Sequence, residues 1–317
     1  MYNGQCEGLM TDPIKISFCT TCKGRLHHLK ETLPKNLSDN ADYPHVEFVI
    51  LDYGCPDGTA KWVKDTFPEE IKSGKILVAE FPSANGFYYP HAKNIAHRIA
   101  AEQGKFQGDP SHILCNVDAD NSTGKGFATY IAQYFNGGAG TFLCNDAATK
   151  RVFRLEDKGV THPRGRGCGG RIAVRKEDFY SIRGYDESFT KGWGPDDTYL
   201  VRRLMRRLIC IPDIIPTHFL DSIPHENDER VKFAPDADAL EQTKGFMARY
   251  ANPATLGKIG GLIKRELSYL NSLSATSSHK DFGCGDVTID KATISLVPLS
   301  RDLFSSRSRQ PGVSIAR

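Results

Sequence analysis

The chain has 317 residues, of which 39% are hydrophobic and 25% are charged, and its mean hydropathy is -0.40. These values are typical of a globular protein that folds in water, and they exclude a disordered or membrane-embedded chain. With 41 basic and 38 acidic residues, the formal net charge is only +3, so we expect no nucleic-acid partner.

The first half of the chain alternates short β-branched segments with helical patterns, which is typical of a mainly parallel sheet covered by helices. Leucines at helical spacing predict the first helix, at 26–33. The predicted strands are 14–19, 46–51, 75–81 and 112–117, and the later predicted helices are 60–67, 92–102 and one around 127–135.

The second half predicts strands at 141–145 and 171–175, separated by a stretch that ends in the Gly- and Arg-rich loop GRGCGGR. A short helix over 176–183 should stop at Gly184. A longer helix is predicted over 196–208, with its four arginines on a solvated face. We expect a strand near 214–219 and, beyond about 245, one or two helices and a mobile Ser/Arg-rich tail.

Neither a secretion signal nor a run long enough to cross a bilayer is found. The nine cysteines are scattered and several lie in apolar runs, so we expect a reducing, cytoplasmic compartment. The one C-x-x-C pair, Cys19 and Cys22, has no second pair at metal-ligand spacing, which favours strand-end packing over a redox or zinc site.

Polar residues follow three of the predicted parallel strands. Thr20 and Thr21 end the first strand, Asp52 ends the second, and Asp118 and Asp120 follow the fourth. Ligands of open parallel sheets bind at the carboxyl ends of the strands, so we expect these residues to border a site.

Asp118 and Asp120 could bring two hard oxygen donors to one cation, which suits Mg²⁺ or Mn²⁺ with a diphosphate filling the remaining positions. The alternative is that both residues only cap a helix that begins near Ser122.

Trp193 precedes two adjacent acids, Asp196 and Asp197, at the start of the predicted 196–208 helix. The apolar faces of sugars stack on indole and their hydroxyls need acceptors, so this combination indicates a carbohydrate site. Helix capping by the two acids is the alternative, and we favour the site.

These residues carry a resemblance to a known family. The segments KISFCTTCKGRLHHLKETL, VEFVILDYGCPDGT, NGFYYPHAKNIA and ILCNVDADN are similar, in order and spacing, to the nucleotide-binding half of family 2-like GT-A glycosyltransferases. GRIAVRKEDFYSIRGYDESFTKGWGPDD resembles their acceptor-side motif, with a W-G-x-D-D helix start of the galactosyltransferase/GalNAc-transferase type. The resemblance covers residues 14 to about 230.

The resemblance implies a GT-A fold, an α/β Rossmann-like and mainly parallel sheet flanked by helices, with a small acceptor-side subregion. With the elements above, it predicts a lead over 1–12, a glycosyltransferase domain over 13–244 and a helical C-terminal extension over 245–317. The domain would divide into a nucleotide-binding half, 13–121, and an acceptor and catalytic half, 122–244.

The implied activity is metal-dependent transfer of a sugar from a nucleoside-diphosphate sugar, with a UDP-sugar favoured, to a glycan, lipid-linked or small-molecule acceptor. Thr20 and Asp52 would hold the base, with Thr21 beside them, and Lys93 would lie near the base or phosphate. Asp118 would approach the ribose. Departures at 22, 23 and 53 from the usual family residues leave the identity of the base open.

The resemblance also implies catalytic roles. Asp196 would bind the acceptor hydroxyl and Asp197 would be the general base of an inverting single displacement. Asp120 would bind Mn²⁺ or Mg²⁺, together with His225 or, as the alternate, His218.

On the sugar side, Gly169 and Gly170 would let the backbone approach the donor, and Arg166 or Arg171 would contact its phosphates. Three other histidines have lesser roles: His27 and His28 are predicted on the surface of the first helix, and His91 as a loop contact.

Three other functions share parts of this pattern. A retaining GT-A transferase would differ in the anomeric configuration of its product. A sugar nucleotidyltransferase is disfavoured because CTTCKGR is too short for the expected phosphate loop, and a silent nucleotide-sugar binder because the Asp197 carboxylate is present. Homodimerisation and peripheral membrane contact are left open.

Overall fold

The fold was analysed in a computed structural model of the chain, which describes residues 12–82, 84–136, 142–144, 170–187, 196–208, 212–225, 232–233 and 282–299. Within these parts of the chain, no helix has both the length and the apolar character needed to cross a bilayer.

A nine-stranded sheet forms the centre of the described structure, with the order β11-β10-β3-β2-β1-β4-β7-β6-β8. Its strands are β1 (Lys15–Cys22), β2 (Val46–Asp52), β3 (Ile76–Glu80), β4 (His112–Val117), β6 (Phe142–Cys144), β7 (Arg171–Arg175), β8 (Asp213–Ile214), β10 (Gly285–Ile289) and β11 (Ala292–Leu296). Two further short strands, β5 (Asn121–Ser122) and β9 (Asp221–Ser222), pair separately with each other.

The helices of the described residues are α1 (Leu26–Asp39), α2 (Thr59–Thr66), α3 (Pro68–Lys72), α4 (Tyr89–Gln103), α5 (Phe127–Asn136), α6 (Lys176–Ser181) and α7 (Asp196–Leu208), with a 3₁₀ turn over Thr217–Phe219. They cover both faces of the sheet. One apolar core joins the sheet to α4, α6, α7 and the β10–β11 hairpin, and the other joins it to α1, α2 and α5.

The predicted parallel core is confirmed. β1 pairs in parallel with β2 and β4, and β2 pairs in parallel with β3. Every residue of β2 is buried, as expected for a strand covered on both faces. The carboxyl ends of β1, β2 and β4 therefore meet at one edge, where the sequence has its polar residues.

The predicted helical C-terminal extension is wrong for residues 285–296, which form the antiparallel β10–β11 hairpin on the edge of β3. The residues alternate inward and outward, with Val287 and Ile289 buried. Asp290 and Lys291 have φ of 48° and 69°, as two-residue hairpin turns require. The helices and tail predicted over 245–281 and 300–317 lie outside the described residues.

Two smaller expectations are corrected. The strand predicted near 214–219 is only two residues long, because Pro216 has no N–H for a ladder and a 3₁₀ turn follows. Arg203, predicted on a solvated face, is buried and donates to the carbonyls of Ile182 (2.9 Å) and Gly184. Its guanidinium thereby fixes α7 against the end of α6.

Candidate active site

The acidic loop after β4 is held in place by α1. Thr32 Oγ1 donates to the Ala119 carbonyl over 2.7 Å, and Asn36 Nδ2 donates to the Asn121 carbonyl over 3.0 Å. α5 begins only at Phe127, so the prediction of a helix start near Ser122 is wrong. Asp118 and Asp120 therefore do not cap that helix.

Asp118 lies against the glycine that precedes β7. Asn116 Nδ2 donates to Asp118 Oδ1 (2.9 Å) and to the Gly170 carbonyl (2.6 Å). A Cβ on Gly170 would lie 2.0 Å from Asp118 Oδ2, and Gly170 has a φ of +88°. Gly170 thus makes room for the Asp118 carboxylate; whether it also faces a donor sugar stays a prediction.

Lys93, on the first turns of α4, joins the two acids at the start of α7. Its Nζ donates to Asp196 Oδ2 over 2.7 Å and to Asp197 Oδ1 over 2.8 Å, and lies 3.8 Å from Asp118 Oδ1. The side chains of Lys93, Asp196 and Asp197 are 6%, 12% and 20% exposed. The Lys93 ammonium also lies 5.2 Å from the centre of the Tyr185 ring. Contact between Lys93 and a base or phosphate, as the resemblance implies, stays a prediction.

This cluster places three carboxylates around one ammonium. Burial raises the pKa of Asp197 to about 7, opposed by Lys93 and reinforced by the neighbouring charges of Asp196 and Asp118. Burial also raises the pKa of Asp118, with Lys93 acting against it. Burial alone would lower the pKa of Lys93, but the three carboxylates hold it well above its usual range.

A second pair of polar groups, Asp120 and His225, lies nearby. His225 Nε2 is 2.9 Å from Asp120 Oδ2. Burial acts to raise the pKa of Asp120, but the hydrogen bond and charge of His225, with the charge of Arg25, leave it lowered. The pair forms because β5 and β9 are hydrogen-bonded and Ile223 N donates to the Asp120 carbonyl, which brings the chain up to His225 beside the acidic loop.

Arg171 is part of that support, and its contact with donor phosphates stays a prediction. Its side chain is fully buried and donates to the carbonyls of Ser122 (2.7 Å) and Asp221. One guanidinium therefore clamps both strands of the small sheet.

The histidines considered above lie in different surroundings. His225 faces Asp120, whereas His218 is exposed on the 3₁₀ turn and its ring lies 4.0 Å from the Phe219 ring. His27 is exposed as predicted, but His28 is buried, with its ring 5.5 Å from that of His225, so its predicted surface position is wrong. His91 does make a loop contact, with its Nε2 2.9 Å from the Cys284 carbonyl.

The residues predicted to bind the nucleotide base line the ends of β1 and β2. Thr20 and Thr21 are buried, and Thr20 Oγ1 donates to the Val117 carbonyl over 2.8 Å. Asp52 accepts from the backbone N–H of Cys55 (2.6 Å) and of Ala60 (2.8 Å). Each Asp52 oxygen has a second lone pair with which to accept from a ligand.

Lys23, one of the departures from the usual family residues, has a positioning role that the sequence did not predict. Its Nζ donates to the carbonyls of Tyr53 (3.1 Å), Gly54 (2.9 Å) and Ala84 (2.9 Å). This ammonium ties the loop after β2 to the loop before α4. The buried carbonyls it satisfies are identifiable only in the folded chain.

A divalent cation fits part of this geometry. Asp120 and His225 are an oxygen and a nitrogen donor at contact distance, and the charge of Asp120 also acts on the nearby carboxylate of Asp118. Among the described residues, no group of three or more His, Cys, Asp or Glu side chains is arranged to hold a metal. A cation bound there would need further ligands beyond this pair.

Several predicted site residues, namely Trp193, Gly169 and Arg166, lie outside the described residues. Asp196 and Asp197 do occupy the first turn of α7, where their charge also complements the helix dipole. The site and helix-capping interpretations of this acid pair are therefore both compatible with its position.

Comparisons with known proteins agree with this architecture. Residues 150–215 match a family model described as the N-terminal domain of galactosyltransferase. No curated protein sequence is significantly similar to the chain.

Solved structures are similar at low identity. The mannosyltransferase PcManGT from Pyrobaculum calidifontis has a TM-score of 0.50 and 17% identity over 70% of this chain, which spans 62% of that protein. Residues 1–349 of S. aureus TarS have a TM-score of 0.43 and 15% identity, covering 59% of this chain and 52% of that segment. Glucosyl-3-phosphoglycerate synthase from Mycobacterium tuberculosis has a TM-score of 0.46 and 16% identity, covering 73% and 79%. The chain therefore has the GT-A fold of glycosyltransferases.

Proposed function

We propose that the chain is a divalent-cation-dependent glycosyltransferase that moves a sugar from a nucleoside-diphosphate sugar, with a UDP-sugar favoured, to an acceptor hydroxyl. The observation that carries the proposal is the meeting of Asp118, Asp120, Asp196 and Asp197 at the carboxyl ends of the parallel strands, on a GT-A fold.

The excess of carboxylates supports a cation in the site. Lys93 is one positive charge against Asp118, Asp196 and Asp197, and the pKa of two of these acids is raised, so their ionised forms are under-compensated. Asp120 and His225 would hold Mn²⁺ or Mg²⁺. A bound cation offsets the negative charge that grows on a departing diphosphate.

Asp197 would be the general base. A base is most effective when its pKa lies near the working pH, and burial brings the pKa of Asp197 to about 7. Asp196 would hold the acceptor hydroxyl, and Lys93, bonded to both acids, would fix their orientation. Attack from the face opposite the nucleotide would invert the anomeric centre. Trp193 and Gly169 stay candidates for contact with the sugar.

Thr20, Thr21, Asp52 and Asp118 would bind the nucleotide, which makes 13–121 the donor half and 122–244 the acceptor half. The mannosyltransferase with the same fold was solved with GDP-Man and Mn²⁺. This supports a nucleotide-sugar donor here, and makes a GDP-sugar the comparison to run beside a UDP-sugar.

The test is a screen of UDP- and GDP-sugars with Mn²⁺ for release of the nucleoside diphosphate, against glycan, lipid-linked and small-molecule acceptors. We expect turnover that Asp197→Asn lowers by roughly a hundredfold or more, the scale of a lost general base, while nucleotide affinity stays unchanged. Turnover that Asp197→Asn leaves intact would remove Asp197 as the base. A purified, folded chain that releases no diphosphate from any donor would contradict the proposal.

A further inference from the structure

Cys22 has a thiol partner that its C-x-x-C motif does not reveal. Cys19 and Cys22 are three positions apart on β1, so their side chains point to opposite faces of the sheet, and they belong to different apolar cores. The partner of Cys22 is Cys55, in the loop after β2: both side chains pack in the same apolar core, and each shifts the pKa of the other.

The fold brings these two sulfurs together. Cys22 is aligned with Asp52 in the parallel pairing of β1 and β2, and Asp52 Oδ1 accepts from the Cys55 backbone N–H over 2.6 Å. The loop therefore turns back toward the end of β1. Thr59 Oγ1 donates to Cys22 Sγ over 3.2 Å from the first residue of α2.

The Cys55 sulfur accepts a hydrogen bond from the backbone. Gly24 N donates to Cys55 Sγ over 3.1 Å, and the neighbouring Thr59 hydroxyl and Asp57 backbone also act to lower the pKa of Cys55. The neighbouring Cys22 thiol has the largest of the effects that lower the pKa of Cys55, to about 6, while Cys55 and burial raise the pKa of Cys22. Cys55 is thus the more readily ionised, nucleophilic thiol, and Cys22 is the neighbour that keeps its proton.

The other described cysteines differ from Cys55. Cys19, Cys115 and Cys144 are buried. Cys284 is half-buried like Cys55, but its sulfur accepts from Arg98 Nη1 over 3.6 Å and its thiol donates to the Phe282 carbonyl. Cys284 is therefore the control matched to Cys55 in exposure.

We propose that Cys55 and Cys22 form a reversible two-cysteine redox site, in which Cys55 is oxidised by a hydroperoxide and Cys22 resolves the product to a disulfide. The proposal does not depend on the glycosyltransferase function.

The chemistry balances in two steps. The Cys55 thiolate attacks one peroxide oxygen, the O–O bond breaks, and hydroxide leaves to yield a sulfenic acid. The Cys22 sulfur then attacks the Cys55 sulfur, the S–O bond breaks, and the leaving hydroxide takes the Cys22 proton as water. The two thiols lose two electrons, which reduce the peroxide, and an added dithiol reverses the change.

The test treats the reduced full-length protein with equimolar hydrogen peroxide, alkylates the remaining thiols and maps the peptides by mass spectrometry. We expect a Cys22–Cys55 disulfide that dithiothreitol removes. In Cys22→Ser, Cys55 should instead be trapped as a sulfenic acid by dimedone, and Cys284→Ser should behave as the parent protein. Circular dichroism and thermal unfolding confirm that each variant is folded.

A second readout is the alkylation rate of the reduced protein against pH. The alkylation rate of Cys55 should rise with pH and then level off, with a midpoint near pH 6. At pH 6 it should exceed the Cys284 rate by about tenfold, a ratio that allows for the lower nucleophilicity of an acidic thiolate. A Cys55 linkage to another cysteine, equal peroxide sensitivity of Cys55 and Cys284, or no disulfide at all would each overturn the proposal.

Discussion

Replacing Lys93 by Met should move the ionisation of Asp197 to higher pH. Lys93 Nζ donates to Asp197 Oδ1 over 2.8 Å from a side chain that is 6% exposed. A hydrogen bond to a charged group contributes about 1.5–3 kcal/mol, and 1.36 kcal/mol corresponds to one pH unit. The Asp197 midpoint should therefore rise from about 7 to about 8–9 in Lys93→Met.

The direct assay is carbon-13 NMR titration of protein labelled at the Asp carboxyl groups, with the Asp197 signal assigned by its loss in Asp197→Asn. Lys93→Arg retains the positive charge and should keep the midpoint near that of the parent. Lys35→Met removes an exposed lysine, 50% accessible and paired only with Asp39 among the described contacts, and should leave it unchanged.

Two results would refute this reasoning. Asp197 titrating near 4 in the parent protein would show that its carboxylate is solvated rather than buried. A midpoint that Lys93→Met leaves in place would show that the ammonium is not its partner in solution. Lys93→Met also leaves carboxylates without their cation, so its thermal unfolding must be measured first, with Lys93→Arg as the folded alternative.

Three further predictions follow from the same geometry. Folding raises the pKa of Asp197, so its contribution to stability is complete below about pH 4 and is lost as the pH rises through about 7. The thermal unfolding temperature of Asp197→Asn should lack that loss. Unfolding temperatures of parent and variant that change in parallel with pH would contradict this prediction. Gly170→Ala should destabilise the chain by about 1–3 kcal/mol in urea unfolding and weaken nucleotide binding, since its Cβ would displace the Asp118 carboxylate. His225→Ala should raise the Mn²⁺ concentration needed for nucleotide binding by roughly tenfold or more, measured by titration, and an unchanged requirement would remove His225 from the metal site.

Two of these substitutions have matched controls in the chain. Gly108 has a φ of +78° but nothing within 4 Å of its would-be Cβ, so Gly108→Ala measures the backbone cost without the clash. Equal losses of unfolding free energy in Gly108→Ala and Gly170→Ala would argue against a steric role for Gly170.

His218 is the control for His225. It is exposed on the neighbouring 3₁₀ turn, and His218→Ala should leave the Mn²⁺ concentration needed for nucleotide binding unchanged.

Local periodicity predicted most of the parallel core. The bounds of β4 and α7 agree with the predicted 112–117 and 196–208, because an unbroken apolar run and a 3.6-residue pattern are properties of neighbouring residues. The β10–β11 hairpin was missed although its alternation is visible in GDVTIDKATISL, where Asp290-Lys291 is not among the usual Asn-Gly or Asp-Gly turns.

Long-range partners could not be predicted from such patterns. Lys93 meets Asp196 across 103 positions, and His225 meets Asp120 across 105. Arg171 and Arg203 were expected to face ligand or solvent, but both side chains turn inward and donate to backbone carbonyls. Which carbonyls need a donor is known only once the strands and helices are placed.

Cation-dependent nucleotide binding at Asp120 is tested by calorimetric titration of UDP, with GDP in parallel, into the chain with Mn²⁺ and again with EDTA, for the parent protein, Asp120→Asn and the control His218→Ala. We expect one of the two nucleotides to bind only with Mn²⁺; Asp120→Asn should abolish this binding and His218→Ala should retain it. Absence of binding by either nucleotide to the folded parent protein, or binding that is indifferent to both EDTA and Asp120→Asn, would contradict it.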